Sequence, residues 1–352
     1  MDAGTEASID GGVSCFPPPR GFDPGFAKGV VALQMMPLEV RTVALDHQGR
    51  VLVAGAQGMD SFIARITTDG KVDTTFATKG IFTQSFGAQE DAAEAIAVDA
   101  QDRVLFGGGV KQGVSAYPYV ARLTPAGAID ASFMFLGTTS LGRVLAIEPD
   151  QGGLYAMGEG HFVLRLLDDG TEDAAFTLVQ GMGSNIAGIA LADGVAVLDL
   201  DGTIAKYGKD GTKDASFGGQ VFGKKTTASV LVKNGDGYLT ADNAPPSHVA
   251  ILDSKGAATA MSADIAMSIT SLGVACNRIV LGGGSNGDAQ LGLLGLDTKP
   301  VTGDKLVDSY PVVAQGDAGT GRFLSLVQPD GRVIWLESVL GTGSIAMARA
   351  SP

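Results

Sequence analysis

The chain repeats itself, and the repeat leaves few folds open. The unit Asp-x-x-Phe recurs at Asp23–Phe26, Asp73–Phe76, Asp130–Phe133, Asp173–Phe176 and Asp214–Phe217, with successive Asp residues 50, 57, 43 and 41 positions apart. Each copy after the first follows a basic residue and a turn glycine: Arg65 and Gly70, Arg122 and Gly127, Arg165 and Gly170, Lys206 and Gly211. A second marker, a short apolar run with small residues, starts at 41, 94, 143, 187, 228, 268 and 322. Behind each copy lies a second strand-like run: RVLVAG, RVLFGG, GLYAMG, GVAVLD, GYLTAD, RIVLGG and RVIWLE. Helical periodicity is absent from these segments, and alternating apolar runs bounded by Gly and Asp read as strands and turns. Four short strands in 40–57 residues form one radial blade, which must stack on neighbours to bury its faces. The expectation is an all-β, seven-bladed β-propeller of four-stranded blades. The small residues Ala44, Ala97, Ala146, Ala190, Ser271 and Ser325 are expected on innermost strands, and the Phe of each Asp-x-x-Phe between blades.

The ends of the chain complete the argument. The last unit finishes at Ile345–Pro352, which matches a third strand, and no Asp-x-x-Phe follows. The missing copy is Asp23–Phe26, so the N-terminal strand, about residues 21–34, should close the last blade. That closure removes an open sheet edge. Residues 21–352 are thus one propeller. Residues 1–20 are acidic and built of small residues, with too little apolar surface to offset ordering, and read as a flexible tether.

Bulk properties exclude some functions. The formal net charge is −13, with 25 Lys plus Arg against 38 Asp plus Glu. That balance lacks the basic footprint of nucleic-acid binding and disfavours anionic membrane surfaces. No run of eighteen apolar residues is present, so no transmembrane segment is expected. An export signal, of lipoprotein type, is expected to have been removed ahead of Met1. A monomer is expected. The two cysteines, Cys15 and Cys276, fall on one face in neighbouring units, where a disulfide is geometrically open; two unpaired thiols are the alternative.

The segments Val43–Gly55 and Ile63–Phe76 resemble the delta-60 repeat of exported bacterial proteins, common in myxobacteria. The likeness is strong in the first two units and fades toward the seventh. The resemblance implies a propeller in a secreted, periplasmic or cell-surface protein, and it implies no catalytic residue.

Candidate chemistry sits where inner strands begin, at the mouth of the axial channel. The register places Arg41, Arg143 and Arg322 there, with Glu94 beside them. Such a ring suits a carboxylate or other anionic ligand, because a guanidinium binds those groups through two parallel hydrogen bonds. Bonding between blades is the alternative role for these arginines. The insert 110–119 carries Lys111, Tyr117 and Tyr119 and is expected to overhang the channel and supply an aromatic wall. His161 and His248 both open third strands on that same face, near Glu159 and Asp242, whereas His47 lies in a turn on the opposite face. Two histidines with carboxylates could serve as acid–base groups or as ligands of a divalent metal. Glu94, Asn185, Asp264 and Asp317 are further oxygen donors in scattered positions. No HExxH or GxSxG is present, and the glycine triplets at 107–109 and 282–284 precede no helix. Two functions follow. The first is a propeller that binds an unidentified small molecule or protein at the channel mouth, with no certain cofactor. The second is a hydrolase of esters, lactones or phosphotriesters that uses His161, His248 and Glu94, with or without a metal in the channel.

Overall fold

The computed structural model describes residues 21–23, 25–26, 29–33, 38–87, 89–181, 183–222, 228–275, 277–285, 288–299, 307–310, 323–339 and 344–351. Every regular element among them is a strand. Seven antiparallel sheets follow one another along the chain as the blades of a propeller. Blade 1 comprises Leu38–Leu45, Val51–Gln57, Asp60–Ile66 and Ile81–Gln84; blade 2 comprises Ala93–Val98, Val104–Gln112, Ser115–Leu123 and Ile129–Leu136. Blade 3 has Val144–Asp150, Gly153–Gly158 and Phe162–Leu167, and its outer segment pairs through the isolated bridges Leu166–Glu172, Val163–Val179 and Glu159–Ser184. Blade 4 runs Asn185–Leu191, Gly194–Asp199, Thr203–Gly208 and Gly219–Gln220. Blade 5 runs Ala228–Asn234, Gly237–Asp242, Val249–Leu252 and Ala258–Met261, and blade 6 Ser268–Ala275, Arg278–Ser285, Asp288–Gly295 and Val307–Tyr310.

Blade 7 contains Phe323–Val327, Val333–Val339 and Ser344–Ser351, and its outer strand comes from the N-terminus. Gly21–Phe22 and Gly29–Ala32 both pair antiparallel with Ser344–Ser351, in registers Gly21–Ser351 and Val31–Ile345. The closure expected from the missing Asp-x-x-Phe is therefore present.

Packing explains the repeat. The buried apolar residues form seven clusters, each bridging two adjacent blades. The Asp-x-x-Phe units sit at these junctions. Asp73 Oδ1 accepts the Thr75 N–H, and Asp73 Oδ2 accepts Arg65 Nε at 2.8 Å. The Arg65 guanidinium lies 4.5 Å over the buried Phe76 ring and donates through Nη1 to Pro125 O of the next blade. The same set is built by Arg349 on Asp23 and Phe26, with Nη1 donating to Thr68 O of blade 1. The ring junction is thus held by the device used inside the ring. Immediately after the Phe, the N–H of Ala77, Thr177 and Gly218 donates to Ala126, Asp210 and Lys255 in the next blade's turn. Gly127 of that turn has φ +85°, and a Cβ there would stand 2.6 Å from Ala77 N, so the turn needs glycine for conformation and for space.

The innermost strands hold a feature the repeat did not reveal. In blades 1–6 one extra residue is inserted near the start of the strand: Arg41, Glu94, Leu145, Ile186, Ser229 and Thr270. Such a bulge re-aims side chains at a sheet edge. It also corrects the alignment by spacing. Arg41 and Glu94 are equivalent, but Arg143 lies two residues before the bulge of blade 3. Counted from the bulge, the place of Ala44 and Ala97 is taken in blade 3 by Glu148, not by Ala146.

Candidate functional site

Antiparallel order puts the starts of first and third strands, and the ends of second and fourth strands, on one face, here called the upper face. Arg41 and Glu94 reach it because they are the bulge residues of blades 1 and 2; Arg143 reaches it from just ahead of its strand. These three side chains meet, and the Glu94 carboxylate, only 2% exposed, accepts from both Arg41 Nη1 and Arg143 Nη1. Arg41 also pairs with Glu39 and Glu90, Glu90 with Lys111, and Arg143 with Glu159 at 2.6 Å. A continuous belt of four carboxylates and three cations so runs across blades 1 to 3. Burial works against the Arg41 charge, but Glu94 and Glu39 outweigh it and hold the guanidinium above its ordinary value. The Glu159 bond likewise holds Arg143 above its ordinary value, and the bonds from Lys111 and Arg143 hold Glu90 and Glu159 below the usual carboxylate range.

The belt surrounds a depression of about 170 Å³, part of it open to solvent, lined by Arg41, Glu90, Ala92, Glu94, Gly109, Lys111 and Arg143. Even with that open space counted, it is smaller than the roughly 300–1,000 Å³ of small-molecule sites. The arginines face carboxylates here, so the belt carries mixed charge, with one more carboxylate than cation. Arg322 and Asp317 lie outside the described residues, as do both cysteines and the segment 1–20.

The insert of blade 2 is a long hairpin formed by Val104–Gln112 and Ser115–Leu123, with Lys111 on its inner arm. Its two tyrosines part company. Tyr117 is half-buried on the arm. Tyr119 is fully buried, stacked on Phe86 with ring centroids 4.3 Å apart, and its hydroxyl bonds to Ser61 Oγ and Asp91 O. Tyr119 therefore packs in the junction of blades 1 and 2, away from the lining of the depression. Burial raises its phenol well above the ordinary value.

The two upper-face histidines are each fixed by an aspartate. Opposite the residue just before each bulge, second strands carry Gly55, Gly108, Gly158 and Gly283 in blades 1, 2, 3 and 6, where a Cβ would come within about 2 Å of a carbonyl at the start of the first strand. Blades 4 and 5 have Asp199 and Asp242 at this place. Asp199 Oδ2 takes His161 Nδ1 of blade 3 at 2.6 Å, while Oδ1 accepts the Ser184 N–H. His161 Nε2 faces the buried Tyr207 hydroxyl at 3.2 Å, so both ring nitrogens are engaged. Burial opposes the Asp199 charge, but the His161 bond prevails and its carboxyl sits below the usual range. Asp242, itself fully buried, accepts both His248 N–H and His248 Nδ1, at 2.8 and 3.1 Å. His248 Nε2 faces Asp264 Oδ1 at 3.2 Å. Burial opposes the His248 charge, but Asp242 and Asp264 outweigh it and hold its pKa above the ordinary 6.5. His47 is exposed on the lower face, against Asp102. Among the described residues, no group of three or more His, Cys, Asp or Glu side chains is placed to hold a metal ion, and no helix is long and apolar enough to cross a membrane.

Two comparisons agree with this architecture, and a third finds no match. A family described as "Domain of unknown function (DUF5122) beta-propeller" matches residues 49–76, which run from the first turn of blade 1 to Phe76. No curated protein matches the chain. Among solved structures, the Neurospora crassa Pan2 WD40 domain is similar at 13% identity and TM-score 0.65, covering 95% of this chain and 98% of that one. Virginiamycin B lyase from Staphylococcus aureus is similar at 12% identity and TM-score 0.62, covering 92% and 98%. At these identities the likeness is one of fold.

Proposed function

We propose that this protein is a binding propeller that engages a protein partner across the upper rim of blades 1 and 2, beside the charged belt. One observation carries the reading. The three most exposed large apolar side chains among the described residues are Val114 (107%), Met59 (60%) and Leu136 (54%), and all three stand on that rim. Val114 is at the hairpin tip, Met59 is in the blade 1 turn whose carbonyl accepts the Asp91 N–H, and Leu136 pairs with Tyr119. Apolar side chains beside a wet, charged surface make the mixed composition of a non-obligate interface. The shallow depression supports a surface contact over an enclosed substrate. The hydrolase reading has less support, because His161 is closed on both nitrogens and Glu94 is held between two guanidiniums. Export to the periplasm or cell surface belongs to the same reading and rests on the resemblance to the repeat and on the acidic, small-residue composition of residues 1–20.

The test is cross-linking on the source cells with wild type, with Met59→Asp/Val114→Asp, and with Lys71→Glu on the lower face. A partner recovered by wild type and Lys71→Glu but lost with the double variant is expected. A partner lost only with Lys71→Glu would overturn the assignment of the face. Turnover of an ester panel, abolished by His248→Gln, with no partner recovered would transfer the argument to the hydrolase.

A further inference from the structure

We propose that His248 and Asp264 form a two-ligand site for a divalent transition metal, zinc-like in preference, on the upper face of blade 5. The argument starts from Asp242. A fully buried carboxylate that accepts Nδ1–H keeps the proton on that nitrogen, so when the ring loses a proton it is Nε2 that is left with the lone pair. That lone pair points at the Asp264 carboxylate, 3.2 Å away. Two acceptors at this separation require a proton or a cation between them. Two zinc ligands, with bonds of about 2.0–2.2 Å and tetrahedral angles, stand roughly 3.4 Å apart. The observed 3.2 Å meets that spacing with little movement.

The pair is also held in place. Ser247 and Ile265, the neighbours of His248 and Asp264, exchange two backbone hydrogen bonds of 2.9 Å each. Val249 N–H donates to Ser262 Oγ, and Ser262 N–H returns to Val249 O. The carboxylate–histidine arrangement behind the ligand is the outer-sphere support usual at metal sites. Access is open, since the Asp264 side chain is 77% exposed. Two of four coordination positions are left to water or to a ligand. His161 provides the contrast: its Nε2 meets a tyrosine hydroxyl, which satisfies the lone pair and leaves no opening for a metal.

The experiment is a zinc chloride titration of the whole chain, followed by imidazole NMR, with exposed His47 as the internal reference for adventitious binding. His248 should respond at zinc concentrations at least tenfold lower than His47. Asp264→Asn should raise the concentration needed by His248 tenfold or more without changing the melting temperature. Asp242→Asn, which disturbs the tautomer, should weaken the site by about tenfold to a hundredfold. A His248 response no earlier than that of His47, or one indifferent to Asp264→Asn, would overturn the proposal.

Discussion

Glu148 offers the sharpest energetic test. It occupies the inner-strand place that blades 1 and 2 give to Ala44 and Ala97, and its Oε1 accepts the Ala190 N–H of blade 4 at 3.1 Å. Burial, reinforced by nearby Asp150, pushes its carboxyl up from 4.5 to about 7. A carboxyl whose folded value is raised binds its proton more tightly in the native state. Its contribution is therefore complete below about pH 4.5 and is lost as pH rises toward 7. A gap of about 2.5 pH units at about 1.36 kcal/mol each sets an upper limit of about 3 kcal/mol. Water in the channel would lower it. Glu148→Gln keeps the acceptor for Ala190 and removes the charge. The variant should match wild type at pH 4 and exceed it by up to about 3 kcal/mol at pH 8. Urea unfolding of both proteins across that range measures the difference, and the background titration of other groups cancels in the comparison. A stability difference that does not change with pH, or a variant weaker than wild type at pH 8, would refute the reasoning.

Three further outcomes follow from the ring and the belt. Phe26 is 2% exposed in the cluster that joins blade 7 to blade 1, so Phe26→Ala should cost about 3–5 kcal/mol, read by urea unfolding, and deletion of residues 1–33 should leave the last blade open to limited proteolysis. Glu94→Ala leaves two guanidiniums without their shared carboxylate; because Arg41 keeps Glu39 and Glu90 and Arg143 keeps Glu159, the loss should fall at or below the low end of the roughly 3–5 kcal/mol seen for broken buried pairs, and a double-mutant cycle with Arg41→Met should recover most of it.

The fold was legible because its signals recur. A glycine turn, an Asp that caps its own loop and a Phe at a blade junction each leave a residue type at a fixed offset, and the absence of one copy at the C-terminus points to Asp23. The bulges left no such trace. One extra residue in a short apolar run changes neither composition nor pattern, so Arg143 and Ala146 aligned with the wrong neighbours by two positions. Tyr119 departs from expectation for a different reason, since a tyrosine on an inserted hairpin reads as surface. A signal was nevertheless present: the second-strand glycines Gly55, Gly108 and Gly158 lie opposite Phe62, Tyr119 and Phe162, all fully buried. An aromatic is the cross-strand partner of that glycine in three successive blades. The aspartates behind the histidines were also written in the repeat, as the blades in which that glycine becomes Asp199 or Asp242. Glu39 and Glu90 carried no signal, because a carboxylate on a loop usually marks only a solvated turn.

The two faces of the ring differ in what they have left to offer. The lower face is filled by turn chemistry: Asp46 with Arg50, Asp99 with Arg103 and Asp330 with Arg332, each arginine folded back on its own loop. The chain also enters there, because Gly21 pairs with Ser351 at the lower end of the last third strand. The upper face carries different chemistry. That face has the belt on blades 1 to 3, the exposed rim around Val114, and the His248–Asp264 pair on blade 5. The repeat builds both faces with the same strands. Their difference arises where single blades depart from it, with a bulge residue that is charged, a hairpin that is longer, or an aspartate that replaces a glycine.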